Sequence, residues 1–173
     1  MPYTLAPTTE AHFPGLHRAL DIVARERKYL AFLQAPPFEQ SLPFYQSIIT
    51  NDWSQFVALR DEEVVGWCDV LPCPMPVRTH VGKLGIGLIP SARHQGLGAR
   101  LMEATLAKAQ AQGLMRIELV VRCDNPNAQA LYERFGFVAE GVQRRGNCID
   151  GEYVDRLAMA LLDGSHAERL GKH

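Results

Sequence analysis

Apolar residues recur at helical spacing over Phe13, Leu16, Leu20 and Val23, which predicts a helix ending near Arg27. Thr8 and Thr9 are its N-cap candidates. Ahead of it, Tyr3–Leu5 reads as a short strand. The break at Ala35-Pro36-Pro37 precedes a second helical stretch, Phe38–Thr50, with Phe44, Ile48 and Ile49 inward and Pro43 near its start or kinking it. The period then changes to two. Gln55–Arg60 and Glu63–Leu71, joined by Asp61-Glu62, predict a hairpin carrying Val64, Val65, Trp67 and Val70. Pro72, Pro74 and Pro76 make a stiff connection that a central strand cannot cross.

The apolar run Leu84–Ile89 predicts a buried strand, and a helical pattern reaches from the turn behind it to about Gln112. Gly113 stands where a helix C-terminal glycine belongs. Met115–Val121 alternates apolar with charged residues, as a strand with one buried face does. Asn125 and Pro126 mark the start of a fourth helix, which stops at Phe135-Gly136-Phe137. Two last strands, about Val138–Arg145 and Glu152–Leu162, join through Asp150-Gly151. A helix between two strands makes the pair around Leu84–Ile89 and Met115–Val121 parallel, while the rest are hairpins. The expectation is an α/β protein: a mixed sheet with helices on both faces, one domain over 1–162 and a polar tail over 163–173.

Composition narrows the class. The 173 residues are 47% apolar and 21% charged, which suits a soluble globular chain. A formal net charge of −1 gives no support for binding nucleic acid or a membrane. Four cysteines form no C-x-x-C pair, so free thiols are expected and no metal site. The opening Met1-Pro2-Tyr3-Thr4 lacks the basic-then-apolar order of a secretion signal, and a cytoplasmic location is expected.

Candidate chemistry sits in the turn after the Leu84–Ile89 run, where Arg93, Gly96 and Gly98 precede a helix. The first N–H groups of a helix lack partners within it, and the helix dipole is positive there. Glycine lets an anion approach the main chain, so the turn reads as a diphosphate cradle. It lacks the P-loop string Gly-x-x-x-x-Gly-Lys-Ser/Thr, and Leu101 stands where a Rossmann turn needs its third glycine.

Arg93-x-x-Gly96-x-Gly98 resembles the Gln/Arg-x-x-Gly-x-Gly/Ala motif of the GNAT superfamily of N-acetyltransferases. Downstream, Asn125-x-x-Ala128-x-x-Leu131-Tyr132-x-x-x-Gly136-Phe137 looks like a second signature of the same family. The element order is similar over Tyr3–Leu162. The resemblance implies a partly splayed sheet that binds acetyl-CoA. It places the pantetheine arm along the backbone of Ile86, Gly87 and Leu88, and the diphosphate on Arg93, His94, Gln95, Gly96, Leu97 and Gly98. In this reading His94 and Gln95 serve mostly through main chain, and Arg93 adds its charge. Asn125 touches the pantetheine, caps its helix, or does both. Dimers are frequent among similar enzymes.

The implied activity is acetyl transfer to a primary amine: a small amine, an amino-acid analogue or a peptide N-terminus. Tyr132 matches the family's general acid, which protonates the departing thiolate; packing beside Leu131 is its structural alternative. A backbone N–H near Leu88 matches the family's oxyanion donor. Many relatives carry a glutamate on the strand before the cradle, but Val81–Leu88 holds no carboxylate. His80, Asp69 or a chain of waters remain as the base. Glu26, Tyr29, Glu152 and Asp155 are candidates to face a cationic acceptor, and Arg144 and Arg145 an acidic one. The missing strand carboxylate keeps a second reading open, a non-catalytic module that binds CoA. Gly66–Asp69 and Asp150–Asp155 are loosely similar to amino-acid acetyltransferases, the phosphinothricin type included.

Overall fold

The computed structural model describes residues 2–164. The polar tail expected from 163 therefore lies, from residue 165 on, outside the described residues. The first strand, β1, spans Thr4–Pro7. A single 3₁₀ turn at Glu10–His12 then leads into α1, Phe13–Arg25. The α-helix starts later than Thr8 and Thr9 suggest because Pro14 lacks an N–H, which only a first turn tolerates. The second helix, α2, covers Phe38–Thr50 as expected, with Pro43 inside it. Its buried face differs from the expectation. Tyr45 and Ile48 are buried, whereas Phe44 and Ile49 remain 43% and 37% exposed. Tyr45 wins the inward position because its ring lies 5.5 Å from that of Phe13 and its hydroxyl is hydrogen-bonded to His17 Nδ1 at 2.8 Å.

The hairpin follows as β2 (Ser54–Arg60) and β3 (Glu63–Pro72). Next come β4 (Val81–Leu88), α3 (Leu97–Ala111), β5 (Arg116–Arg122) and α4 (Pro126–Arg134). The chain closes with β6 (Val138–Ile149) and β7 (Glu152–Leu162). Among the described residues, seven strands order as β1-β2-β3-β4-β5-β7-β6 in one mixed sheet, accompanied by four α-helices. No described helix is long and apolar enough to cross a membrane.

The chain divides into two compact units. The first comprises the residues up to Leu71 together with Gly85–Ala109. Here β1, β2 and β3 form an antiparallel meander. Its core joins Phe13, Leu16 and Val23 of α1 to Tyr45 of α2 and to Val57 and Trp67 of the strands. Two buried hydroxyls fasten α3 to the meander. Ser54 Oγ donates to Thr105 O at 2.7 Å, and Thr105 Oγ1 donates to Cys68 O at 3.3 Å. Partners of this kind are what make a buried hydroxyl tolerable. Gly87 is dictated by packing, because a Cβ there would overlap the Trp67 ring.

The second unit comprises Pro72–Leu84 and the chain from Gln110 on. The parallel pair expected from the crossover is β4 with β5, but its ladder covers only Val81–Lys83 against Arg116–Glu118. Both strands continue beyond that ladder, to Leu88 and Arg122. On its other side β5 pairs antiparallel with β7 from Arg116 to Arg122. Arg116 holds Glu118 at 2.8 Å and takes Glu140 in a two-pronged pair. In the β6–β7 hairpin Asp150 (φ +52°) and Gly151 (φ +81°) both turn left-handed, the backbone that a two-residue loop requires. β6 runs four residues past Arg145, and the register slips twice along it.

Candidate active site

The expected cradle lies in the first unit. After Leu88 the Ile89 N–H bonds Val65 O at 3.0 Å, and Pro90–Ala92 forms a 3₁₀ turn anchored by buried Ala92. His94 (φ +59°) and Gly96 (φ +76°) then reverse the chain into α3, whose first residue, Leu97, is buried. The Gln95 side chain turns back to donate to Ser91 O at 3.0 Å, which leaves its main chain to the cradle. The first helical bond at this end is Arg100 N–H to Gly96 O, 3.2 Å. Among the described residues no acceptor meets the N–H groups of Gly96, Leu97, Gly98 or Ala99. A Cβ at Gly96 would touch nothing within 4 Å, so the space in front of it is open. Unpaired donors at the positive end of a helix dipole, with open space before them, fit a diphosphate.

Arg93 departs from the expectation. Its Nη1 donates to Glu26 Oε2 at 2.8 Å, its Nη2 bonds the other oxygen, and its Nε donates to Leu88 O at 2.9 Å. The guanidinium also lies 4.8 Å from the centre of the Tyr29 ring. The bond to Glu26 raises the Arg93 pKa above its ordinary value. Its charge is therefore balanced by a carboxylate, and its N–H is spent on Pro90 O at 3.3 Å. Arg93 acts here as a strap between the end of α1 and the cradle. The Glu26 carboxylate, expected near the acceptor, is engaged here by Arg93, and the Tyr29 ring lies against the same guanidinium.

A cavity of about 460 Å³ opens in the same unit. Leu16 and Leu20 of α1, Phe44 and Tyr45 of α2, Trp67 of β3 and Ile86 of β4 supply apolar walls. Gln55 and Asp69 also line it, and they are bonded to each other, Gln55 Nε2 donating to Asp69 Oδ2 at 3.1 Å. Asp69 is only 8% exposed. Burial pushes its pKa up to about 7, against a smaller downward pull from the Gln55 bond. Gln55 Oε1 is buried and has no partner among the described residues. Gly85 gives the carboxylate its room, since a Cβ there would come within 3.1 Å of Asp69 Oδ1. Asp69 is thus a carboxylate held part-neutral in an apolar cavity, beside the strand expected to carry the thioester. His80, the other side-chain base candidate, is exposed in the second unit, where its carbonyl receives Met115 N–H at 2.8 Å.

The second unit holds the other expected residues. Asn125 Oδ1 accepts the Ala128 N–H at 3.2 Å and so caps α4. Tyr132 is 8% exposed, with its ring 5.9 Å from that of Phe137. Gly136 (φ +92°) ends α4, and Phe137 N–H bonds Tyr132 O at 3.1 Å, which fixes the tyrosine's backbone. Asp155 spends its carboxylate on the Arg145 N–H at 2.7 Å, and Arg145 lies over the Tyr153 ring at 5.6 Å. These residues have partners within the hairpin itself. Arg144 and Glu152 are exposed. Among the described residues no group of three or more His, Cys, Asp or Glu is arranged to hold a metal.

The sequence pattern of the acetyltransferase (GNAT) family matches residues 22–137, which contain the glycine turn and the Asn125–Phe137 motif. The chain belongs to the GNAT family. A relative of this GNAT protein, the L-amino acid N-acetyltransferase AaaT of Escherichia coli (strain K12), is 34% identical over 107 residues, or 61% of this chain and 66% of that one. The mycothiol acetyltransferase of Streptomyces scabiei is 38% identical over 85 residues, 48% of this chain and 26% of that one. The chain thus spans just under two thirds of the first relative and about a quarter of the second. Among solved structures, a GNAT acetyltransferase from Streptococcus pneumoniae matches with a TM-score of 0.86 and 25% identity, covering 94% of this chain and 100% of that one. A GNAT phosphinothricin acetyltransferase from Sinorhizobium meliloti, solved with acetyl-CoA, matches with a TM-score of 0.88 over 95% of this chain and 90% of that one. At 20% identity, the latter speaks for the fold alone.

Proposed function

We propose that this GNAT protein transfers the acetyl group of acetyl-CoA to a primary amine seated in the cavity of its first unit, with Asp69 as proton acceptor. The observation that carries the reading is the buried Asp69 carboxylate facing an apolar cavity beside Gly85 and Ile86. A primary amine is mostly protonated near pH 7 and must lose a proton before it can attack a carbonyl. A carboxyl whose pKa is pushed up to about 7 takes that proton at working pH without holding it too weakly to matter.

The unpaired N–H groups of Gly96–Ala99 take the diphosphate, and Ile86–Leu88 present main chain to the pantetheine arm. When bound, the thioester supplies the activated acetyl group. A main-chain N–H near Leu88 meets the developing oxyanion, Tyr132, on its place in the motif, gives its phenolic proton to the leaving sulfur, and the proton that the acylated nitrogen then sheds returns through water to the phenolate. Asn125 serves in this scheme by capping α4, which carries Tyr132. Asp69 supplies the carboxylate that β4 lacks, so the non-catalytic reading loses the absence that favoured it.

The test is release of free CoA thiol with a mixed panel of amines. The proposal expects amine-dependent release that drops at least about a hundredfold in Asp69→Asn. Tight acetyl-CoA binding with no release for any amine would instead leave a CoA-binding module.

A further inference from the structure

The cavity's lining assigns a chemical class to the acceptor. We propose that it is a primary amine with an apolar, aromatic-sized body and no acidic group, its nitrogen at Asp69 and its body among Leu20, Phe44 and Trp67. The inference rests on the transferase reading above and adds the substrate class.

Three observations lead there. Among the described residues, none lining the cavity is a lysine, arginine or histidine, so nothing there pairs with a carboxylate. Arg93, beyond the end of β4, is already neutralised by Glu26. The Tyr45 hydroxyl is already engaged, hydrogen-bonded to His17 Nδ1 at 2.8 Å. An acceptor bearing a carboxylate would bring a second negative charge toward Asp69, and the cavity lining offers no side-chain cation to hold it.

The second observation concerns the nitrogen. Gln55 Oε1 is a buried acceptor without a partner among the described residues, and its amide already touches Asp69. An ammonium carries donors for both oxygens, and unsatisfied buried acceptors are uncommon enough to ask for such a partner. The third observation is the mouth. Phe32 and Phe44, both cavity residues, are 51% and 43% exposed. Large aromatic surface left in water beside a pocket marks a place where an apolar body docks. A volume of about 460 Å³ takes a ring on a short alkyl chain with room to spare.

The experiment uses the whole chain with acetyl-CoA and a matched set: phenylethylamine, phenylalanine amide, phenylalanine and putrescine. The expected kcat/KM for the first two exceeds that for the last two by about tenfold or more. Phenylalanine matching or exceeding its own amide would overturn the class. Gln40→Arg places a cation on an exposed cavity residue of α2, outside the core. It is expected to raise phenylalanine against its amide by about tenfold, and an unchanged ratio would also count against the proposal. Trp67 emission, read in a Trp53→Phe background, separates the two levels. Quenching by phenylethylamine without acetylation of any amine would sink the transferase reading and leave the class of ligand standing. Acetylation of acidic or dicationic amines without such quenching would keep the transferase and remove the class. Neither quenching nor acetylation would remove both.

Discussion

Replacing Asp69 by asparagine should make the protein more stable and less active at once. The side chain keeps its shape and its partner Gln55, but can no longer ionise. In the folded chain the Asp69 pKa is pushed from its ordinary value of 3.8 up to about 7, because burial penalises the charged form. A raised folded-state pKa means that the stability present below pH 3.8 is lost as pH climbs through 7. Integrating between these values, ionisation costs the wild-type fold roughly 2 kcal/mol at pH 5 and roughly 4 kcal/mol at pH 8. Asparagine escapes that cost at both. Urea unfolding followed by tryptophan emission should therefore show Asp69→Asn ahead of wild type, with a lead that grows by about 2–3 kcal/mol from pH 5 to pH 8. Over the same range wild-type kcat/KM should rise with pH through an apparent pKa near 7, and this limb should vanish in the variant. A variant that is less stable at both pH values, or a lead that does not change with pH, would refute the argument. It would mean that the carboxylate is stabilised in place rather than strained.

The other expectations concern the cradle and the acid. Tyr132→Phe should cut kcat about tenfold to a hundredfold while the acetyl-CoA Kd, measured by calorimetry, stays within about twofold; equal losses in both would remove the acid role. Gly96→Val places a branched side chain at φ +76° and in front of the cradle, and acetyl-CoA binding should disappear in the same titration. Glu26→Ala releases the strap at Arg93 and should weaken acetyl-CoA binding several-fold; tighter binding would show instead that Arg93 prefers the phosphates. Gly87→Ala pushes a methyl into the Trp67 ring and should cost about 1–3 kcal/mol in urea unfolding.

Local signals read well where one residue type carries the physics. Gly113 and Gly136 end their helices at φ +93° and +92°, and Asn125 caps α4, all legible because few residues tolerate those positions. The parallel β4–β5 pair was legible from the helix between the two strands, since a crossover leaves no other arrangement. Side-chain partners were not. Arg93 and Glu26 stand 67 positions apart, and nothing in a linear string says that an exposed-looking glutamate will claim the motif's arginine. Asp69 was a candidate by chemistry alone. What raises it is burial, and β3 is buried continuously from Val64 to Val70, so no alternation marks which side chain faces the cavity. The one available signal was a lone carboxylate inside that apolar run. The inward face of α2 was misjudged by one position because Phe44 and Tyr45 are adjacent aromatics, and only the reach of Tyr45 to His17 decides between them.

The slipped register of β6 has a consequence for how this protein behaves when concentrated. β6 closes the strand order, and Val138 and Val142 on it are exposed. A long, straight, sticky margin of that kind would recruit further chains into fibrils, for which six or seven consecutive extended residues suffice (about 20 Å). Here the slips at Ala139/Gly141 and Gln143/Asn147 leave no paired run longer than Gly141–Gln143 or Asn147–Ile149, and Arg145 kinks the backbone at φ +53° between them. The irregularity works against such recruitment: a variant whose β6 pairs with β7 without either slip is expected to form filaments more readily than the natural chain.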